Sequence, residues 1–371
     1  MANLIDYLYW RGDLSFDERS FNEVDNLILS ELVYFDFDRL LPLTGSGTPT
    51  LGEIYDAFQR ADIPYTEFNN DALSVLSACA GCGRYSSVRV QSFRKITDEE
   101  RELQFAAAAF LFPDYSVYIA FRGTDDSIVG WREDFNLSFM QSTAAQDEAV
   151  RFLNDFLAGY AGSVTVGGHS KGGNLAVYAA AFCKYTDRID IVFSNDGPGF
   201  NQYITQREEY KAILPRVRLI IPEDSMIGII MSNTDSKEVI RSDAEGVQQH
   251  DPLTWLVERD SFVKAQQQSS GSLLLDATLK KWLESMSLEE REKFFTSVFD
   301  IIDETGAKTL SEINANKWLS YNSILKAVTA QSEEIKDTIF DTLKKLALAG
   351  RDAIWDETQK RFIPHRFSKE D

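Results

Sequence analysis

Apolar and polar positions repeat with two different periods along the chain, and the change between them divides it into three parts. Residues 1–83 carry mostly helical periodicity, broken by a Gly/Pro-rich stretch at 41–49. From Val88 to about residue 270, short β-rich runs alternate with helical stretches, and 271–371 then return to helical periodicity. We therefore predict an N-terminal mostly helical segment packed on the core (1–83), a core (84–270) and an appended C-terminal helical region (271–371).

The predicted core starts with antiparallel strands and continues as a parallel sheet. Two β-rich runs, 104–112 and 115–121, flank a Pro113–Asp114 turn and predict a hairpin. Helices near 146–160, 171–185 and 201–213 then alternate with strands at 163–167, 189–194 and 216–221. This alternation predicts right-handed crossovers and an α/β fold whose mainly parallel central sheet is flanked by helices.

Helix starts outside this core are indicated by capping-box spacing. The sequences Thr50–Glu53, Ser287–Glu290 and Thr309–Glu312 each place a glutamate three residues after a serine or threonine. Residues 317–350 add helical periodicity without strand signals.

The strongest chemical signal is Gly168-His169-Ser170-Lys171-Gly172, which lies between a β-rich run and an alanine-rich helix. A G-x-S-x-G nucleophile elbow needs this strand–turn–helix context, because small residues let the strand and helix pack closely around a strained serine. We therefore expect Ser170 to be a nucleophile, with the Lys171 backbone N–H able to stabilise an oxyanion. The structural alternatives are a glycine-rich β–α turn and an N-capping serine.

The choice of a catalytic base is narrow because the chain has three histidines. His250 follows the elbow in the Ser–acid–His order and precedes Asp251 and Pro252, which suit the start of a helix. We expect it to be the base, with a surface loop histidine as the alternative. His169 adjoins the nucleophile and is expected to pack or support, and His365 lies near the C-terminus outside the sheet pattern.

Three carboxylates compete to orient that base. Asp224 follows the run Val217–Ile221 at a strand end and is the preferred acid. Asp196 follows the strand directly after the nucleophile strand and is the main rival, and Glu223 is a third candidate by adjacency.

A second oxyanion donor is expected on the loop that follows the predicted hairpin. Thr124 can offer its backbone N–H and hydroxyl there, while Gly123 lets the backbone approach and Asp134 could hold the Thr124 side chain. The alternative is a turn with an Asx or threonine cap.

Composition narrows the possible partners. The chain has 38 Lys and Arg against 58 Asp and Glu, a formal charge of −20, which disfavours nucleic acid and anionic membrane surfaces. No signal peptide or membrane-spanning stretch is evident, and Cys79 and Cys82 form a lone C-x-x-C that we read as small buried residues. We expect a cytoplasmic protein with no metal and no cofactor.

Several of these motifs together resemble known lipases. Phe121–Thr124, Gly168–Gly172 and Ile221–Asp224 resemble the oxyanion segment, elbow and acid position of class 3 (fungal triacylglycerol-type) lipases. The strings Gly168–Ala176, Asp196–Phe200, Phe121–Asp125 and Gln249–Asp251 more closely resemble a bacterial lipase-related family known as Mbeg1-like, within the α/β-hydrolase superfamily. The resemblance runs from about residue 84 to 260.

This resemblance implies a triad of Ser170, Asp224 and His250, with Thr124 and Lys171 as oxyanion donors. Lys171 replaces the leucine of class 3 lipases, which places a cation near the site, and no aromatic-rich lid is evident. The expected function is therefore hydrolysis of a carboxylic ester or thioester, with an intracellular ester or acyl carrier favoured over bulk lipid. The alternative is a catalytically weak hydrolase-fold protein with a binding or regulatory role, and self-association is expected to use the C-terminal helices.

Overall fold

The computed structural model divides the chain into two compact units, Met1–Gln268 and Ser269–Asp371. The residues that it describes are 2–61, 63, 69–231, 233–234, 236–309, 312 and 333–362, without the side chains of 334 and 355–362. The predictions for His365, for residues 317–332 and for the middle of the Thr309–Glu312 box lie outside them.

A seven-stranded sheet organises the first unit, with its strands in sequential order from β1 to β7. Its strands are β1 (Arg89–Asp98), β2 (Leu103–Leu111), β3 (Val117–Phe121), β4 (Val164–His169), β5 (Ile189–Asn195), β6 (Val217–Pro222) and β7 (Lys237–Ile240). The first three strands pair antiparallel and β3 to β7 pair parallel, so the predicted hairpin and mainly parallel sheet are both confirmed. Strands β8 (Val257–Glu258) and β9 (Ser261–Phe262) form a separate two-stranded ribbon.

Helices supply the layers around this sheet and the second unit. Those of the first unit are α1 (Leu4–Arg11), α2 (Glu23–Leu32), α3 (Leu51–Arg60), α4 (Asn70–Ala80), α5 (Ile128–Asn136), α6 (Ala144–Gly159), α7 (Lys171–Phe182), α8 (Gln202–Thr205) and α9 (Glu208–Ile213). Those described in the second unit are α10 (Ser270–Glu284), α11 (Leu288–Asp303) and α12 (Glu333–Phe362).

The central strands of the sheet are buried on both faces, and alternate residues of these strands enter two different cores. Ala108 and Phe110 of β2 pack with residues of α1 to α4, whereas Ala107 and Ala109 of the same strand pack with α6, α7 and α9. This follows from the two-residue period of a strand, which sends successive side chains to opposite faces. The N-terminal helices therefore form one layer of a three-layer α/β unit.

A buried ion pair ties this N-terminal layer together. The Arg84 guanidinium lies 2.6 Å from the Asp25 carboxylate of α2, and both side chains are almost fully buried. The Tyr7 hydroxyl of α1 also donates to Asp25, at 3.2 Å. The Asp25 carboxylate thus links α1 and α2 to Arg84, in the segment that enters β1. Removing either charged partner would leave an unpaired buried charge and strongly destabilise the protein.

Two predicted elements differ in detail. The helix expected over 201–213 is divided into α8 and α9, since α9 begins anew after Arg207, whose backbone is extended. Helix α7 ends at Phe182 rather than near 185, because Cys183 is extended. The capping boxes at Thr50 and Ser287 are both formed, with reciprocal side chain to backbone hydrogen bonds.

Candidate active site

Ser170 lies in a sharp turn between β4 and α7. Its backbone has φ 56° and ψ −132°, a conformation that is strained for a residue with a side chain, and its N–H donates to the Asn195 carbonyl at 2.9 Å. Ser170 occupies the N-cap position of α7, but its side chain makes no capping hydrogen bond to that helix, so the hydroxyl does not act as a cap. Ser170 is half-buried rather than enclosed.

The glycines around Ser170 are required by close contact between backbones. A β-carbon on Gly168 would overlap the Gly172 backbone, and one on Gly172 would overlap the Phe121 carbonyl of β3. A β-carbon on Gly173 would lie 2.7 Å from the Ser194 hydroxyl of β5. The strand, the turn and the helix therefore meet at the distance that an elbow needs.

His250 lies beside this elbow and is paired with Asp196. The distance from His250 Nδ1 to Asp196 Oδ2 is 2.7 Å, the carboxylate is fully buried, and the imidazole is 26 % exposed. The other carboxylate oxygen accepts hydrogen bonds from the Ser225 hydroxyl and, at 3.1 Å, from the Gly228 N–H. The His250 imidazole is thus held by one ring nitrogen, and it is not a free surface histidine.

The preference for Asp224 as the partner of His250 is wrong in this structure. Its carboxylate accepts from the Gly246 N–H at 3.2 Å and from the Gln249 side chain at 3.1 Å, so it ties down the loop that leads to His250. Both carboxylates follow strands of the parallel sheet, Asp196 after β5 and Asp224 after β6. The turn after β5 brings the Asp196 carboxylate to His250, whereas the Asp224 carboxylate is occupied by the 246–250 loop.

The loop after β3 brings Thr124 next to the elbow. Gly123 packs so tightly that a β-carbon there would lie 2.7 Å from the His169 carbonyl and 3.1 Å from Ser170 Cβ. The predicted hydrogen bond from the Thr124 hydroxyl to Asp134 is present at 2.7 Å. Burial raises the pKa of Asp134 to about 6, although the Lys171 charge and the Thr124 hydroxyl both act to lower it.

Lys171 has separate roles for its backbone and its side chain. Its N–H begins α7, where the first N–H groups of a helix have no intrahelical partner and can face an anion. Its ammonium is fully buried, 3.0 Å from Glu133 and 2.8 Å from the Gln104 side-chain oxygen. The cation expected near the site is therefore neutralised inside the protein and does not face an incoming substrate.

His169 contacts two residues, His250 and Glu31. Its Nε2 lies 2.9 Å from the His250 carbonyl oxygen, and its ring centroid lies 4.5 Å from that of His250. Its Nδ1 lies 3.6 Å from the Glu31 carboxylate of α2. The supporting place expected for His169 agrees with these contacts.

Sequence reasoning missed the contribution of α2 to this site. Glu31 lies 3.6 Å from His169. Asn26 donates to the Asn195 side chain at 2.9 Å, and the Asn195 backbone carbonyl accepts from the Ser170 N–H. The available signal was four polar residues, Asp25, Asn26, Ser30 and Glu31, among the apolar residues of α2. Such residues are costly to bury unless they have a partner.

A cavity of about 590 Å³ lies elsewhere, along α6, α7 and α8. Its lining includes Tyr178, Arg151 and Arg207 and none of the site residues named above. Over the described part of the chain, no helix is long and apolar enough to cross a membrane, and no cluster of three potential metal ligands occurs.

The mostly parallel sheet, its two helical layers and the serine at a strand–turn–helix elbow define an α/β-hydrolase fold. The family model described as Mbeg1-like matches residues 80–300, and the chain belongs to that family. No curated protein matches the chain.

Solved structures of fungal lipases share a distant likeness with this chain. A fungal lipase from a lipase–inhibitor complex is 15% identical, with 45% of this chain and 68% of that chain covered and a TM-score of 0.32. The native Rhizomucor miehei lipase propeptide complex is also 15% identical, with 55% and 68% covered and a TM-score of 0.34.

Proposed function

We propose that this protein is a serine hydrolase that cleaves a carboxylic ester or thioester through an acyl-enzyme. The observation that carries the proposal is the 2.7 Å contact between His250 Nδ1 and the buried Asp196 carboxylate, beside a strained elbow that presents Ser170. A buried carboxylate that orients an imidazole next to an activated serine is the arrangement that acyl transfer requires.

The reaction proceeds in two steps. His250 takes the Ser170 proton as the serine oxygen attacks the carbonyl carbon, and Asp196 stabilises the imidazolium that forms. The N–H groups of Thr124 and Lys171 hold the oxyanion, and His250 returns its proton to the leaving alcohol or thiol. Water then attacks the acyl-enzyme with His250 again as base, which releases the acid and restores Ser170.

A reduced, cytoplasmic setting and an intracellular acyl ester or acyl carrier belong to the same proposal. Cys79, Cys82 and Cys183 are free thiols, and Cys79 and Cys183 are buried. Free cysteines of this kind are typical of a reducing compartment. The Lys171 ammonium is already paired with Glu133, so the substrate need not carry a negative charge.

A fluorophosphonate probe tests the nucleophile directly. The wild type should be labelled and Ser170→Ala should not, while Ser287→Ala, at the N-cap of a helix in the second unit, should be labelled like the wild type. A panel of p-nitrophenyl esters and acyl thioesters of increasing chain length should then define the acyl preference. A folded wild type that neither reacts with the probe nor hydrolyses these substrates would favour the binding or regulatory alternative.

A further inference from the structure

Glu31 is a buried acid without a hydrogen bond on one of its oxygens. Its side chain is 9 % exposed, and Oε1 has no hydrogen-bond partner within the described structure although His169 Nδ1 lies 3.6 Å away. It belongs to α2, outside the residues that the family model matches. Burying a carboxyl oxygen without a hydrogen bond costs free energy of folding, so its presence here calls for an explanation.

The contacts of His169 determine which of its nitrogens carries the proton. A carbonyl oxygen can only accept, so His169 Nε2, 2.9 Å from the His250 carbonyl, must donate. Burial, followed by the nearby His250, holds the pKa of His169 well below its usual range, so the ring is neutral. A neutral ring with its proton on Nε2 has a lone pair on Nδ1, which faces Glu31.

Glu31 is matched to that lone pair only when it is protonated. Burial, reinforced by the charges of Asp251 and Asp71, raises the pKa of Glu31 to about 8. At neutral pH the carboxyl group therefore retains a proton that it can donate to His169 Nδ1. Tyr34 also adjoins Glu31, and its hydroxyl stays protonated because burial and Glu31 raise its pKa.

We propose that Glu31 and His169 form a positioning pair that holds the backbone of His250, and that ionisation of Glu31 switches this pair off. When Glu31 releases its proton to solvent, its carboxylate accepts Nδ1–H, and the His169 proton moves from Nε2 to Nδ1. The Nε2 lone pair then faces the His250 carbonyl oxygen, and the hydrogen bond becomes a repulsion. The base is no longer held, although the triad residues are chemically unchanged.

The pair rests on the proposed hydrolase function for its effect on turnover. Displacement of a catalytic group by ~1 Å lowers the reaction rate about 10²-fold. We therefore expect Glu31→Leu to lower kcat by about ten- to a hundred-fold with little change in KM. Glu31→Gln keeps a neutral donor and should restore most of that loss. The wild-type kcat should fall above pH about 8, and Glu31→Gln should lose this fall.

Glu23→Gln is the matched control, because it makes the same substitution on the same helix. The Glu23 side chain accepts from the Phe262 N–H. Asn26 donates to the Glu23 backbone carbonyl, which the substitution leaves in place, so the pH profile of Glu23→Gln should follow the wild type. A Glu31→Leu variant as active as the wild type, or a Glu31→Gln variant with the unchanged alkaline fall, would overturn the proposal.

Imidazole ¹⁵N NMR gives a readout that does not need activity, and three histidines make the spectrum simple. The His169 ring proton should lie on Nε2 at pH 7. In the wild type it should move to Nδ1 as the pH passes about 8, whereas in Glu31→Gln it should remain on Nε2. A proton on Nδ1 at pH 7 would refute the pair even in an active enzyme. A protein inert to the fluorophosphonate would refute the hydrolase function while the NMR result still decides the pair.

Discussion

At the scale of single residues, the Asp196 carboxylate orients His250, the base of the proposed reaction. It is fully buried, accepts from Ser225 and Gly228 on one oxygen, and lies 2.7 Å from His250 on the other. Its own backbone is in the left-handed region with φ 47°, and its N–H donates to the Ile220 carbonyl at 2.8 Å. This turn, and not side-chain chemistry alone, directs the carboxylate toward the histidine.

Exchange of each candidate acid for its amide separates Asp196 from Asp224. We expect Asp196→Asn to lower kcat by roughly 10⁴-fold, since the amide no longer selects the imidazole tautomer that can accept the serine proton. Asp224→Asn keeps an oxygen for the Gly246 N–H and should lower kcat by less than about ten-fold. Ester hydrolysis by the two purified variants measures this, and equal losses would contradict the assignment.

The raised pKa of Glu31 also predicts how the free energy of unfolding depends on pH. The folded state holds the Glu31 proton up to pH about 8, whereas an ordinary glutamate loses it near 4.5. The folded state thus binds more protons between these values, so this group lowers the free energy of unfolding as pH rises through that window. Thermal unfolding from pH 5 to 9 should show Glu31→Gln gaining Tm relative to the wild type as pH increases. A constant difference in Tm would contradict the raised pKa.

At the scale of elements, the elbow depends on how closely α7 approaches β3 and β5. Gly172 has no room for a β-carbon because the Phe121 carbonyl occupies that space. Gly159, at the end of α6, has open space at the same position. The two glycines therefore form a matched pair for substitution.

Gly172→Ala should destabilise the protein by about 1–3 kcal/mol through overpacking and should displace Ser170. Gly159→Ala should be neutral or slightly stabilising, because alanine favours a helix more than glycine does. Urea unfolding midpoints measure both variants, and fluorophosphonate labelling reports the elbow. Similar midpoints for the two variants would mean that α7 can move away from β3 without cost.

At the scale of the whole molecule, every contact that we assign to the site lies within the unit Met1–Gln268. A chain ending at Gln268 should therefore fold and keep its labelling at Ser170. A chain beginning at residue 84 should not, because it lacks α2 and more than half of the buried residues in the core that covers one face of the sheet. Circular dichroism and probe labelling of both fragments measure this. Loss of labelling in the chain that ends at Gln268 would assign part of the site to the second unit.

Self-association through the C-terminal helices stays a prediction at this scale. Phe340 and Leu343 of α12 are 64% and 48% exposed within the described residues. Exposed apolar side chains of this size are frequent in contact surfaces. Sedimentation velocity of the wild type and of Phe340→Ser should show a lower sedimentation coefficient for the variant, and identical values would contradict the prediction.

Local patterns in the sequence were sufficient for the class of fold and for the candidate nucleophile. Alternating strands and helices predicted the parallel sheet, and the residues around Ser170 predicted the elbow, because both depend on neighbours a few positions apart. The candidate base followed from the number and order of the histidines, since three histidines left His250 as the one in the expected order.

The tertiary structure alone decided the partners of these residues. Asp196 and Asp224 both follow parallel strands, and which one meets His250 depends on the path of the 246–250 loop and on the turn after β5. The pairing of Glu31 with His169 joins residues 138 positions apart, and that of Lys171 with Glu133 joins residues 38 apart. Such contacts arise when the sheet and its two helical layers pack together, and no local period of the sequence records them.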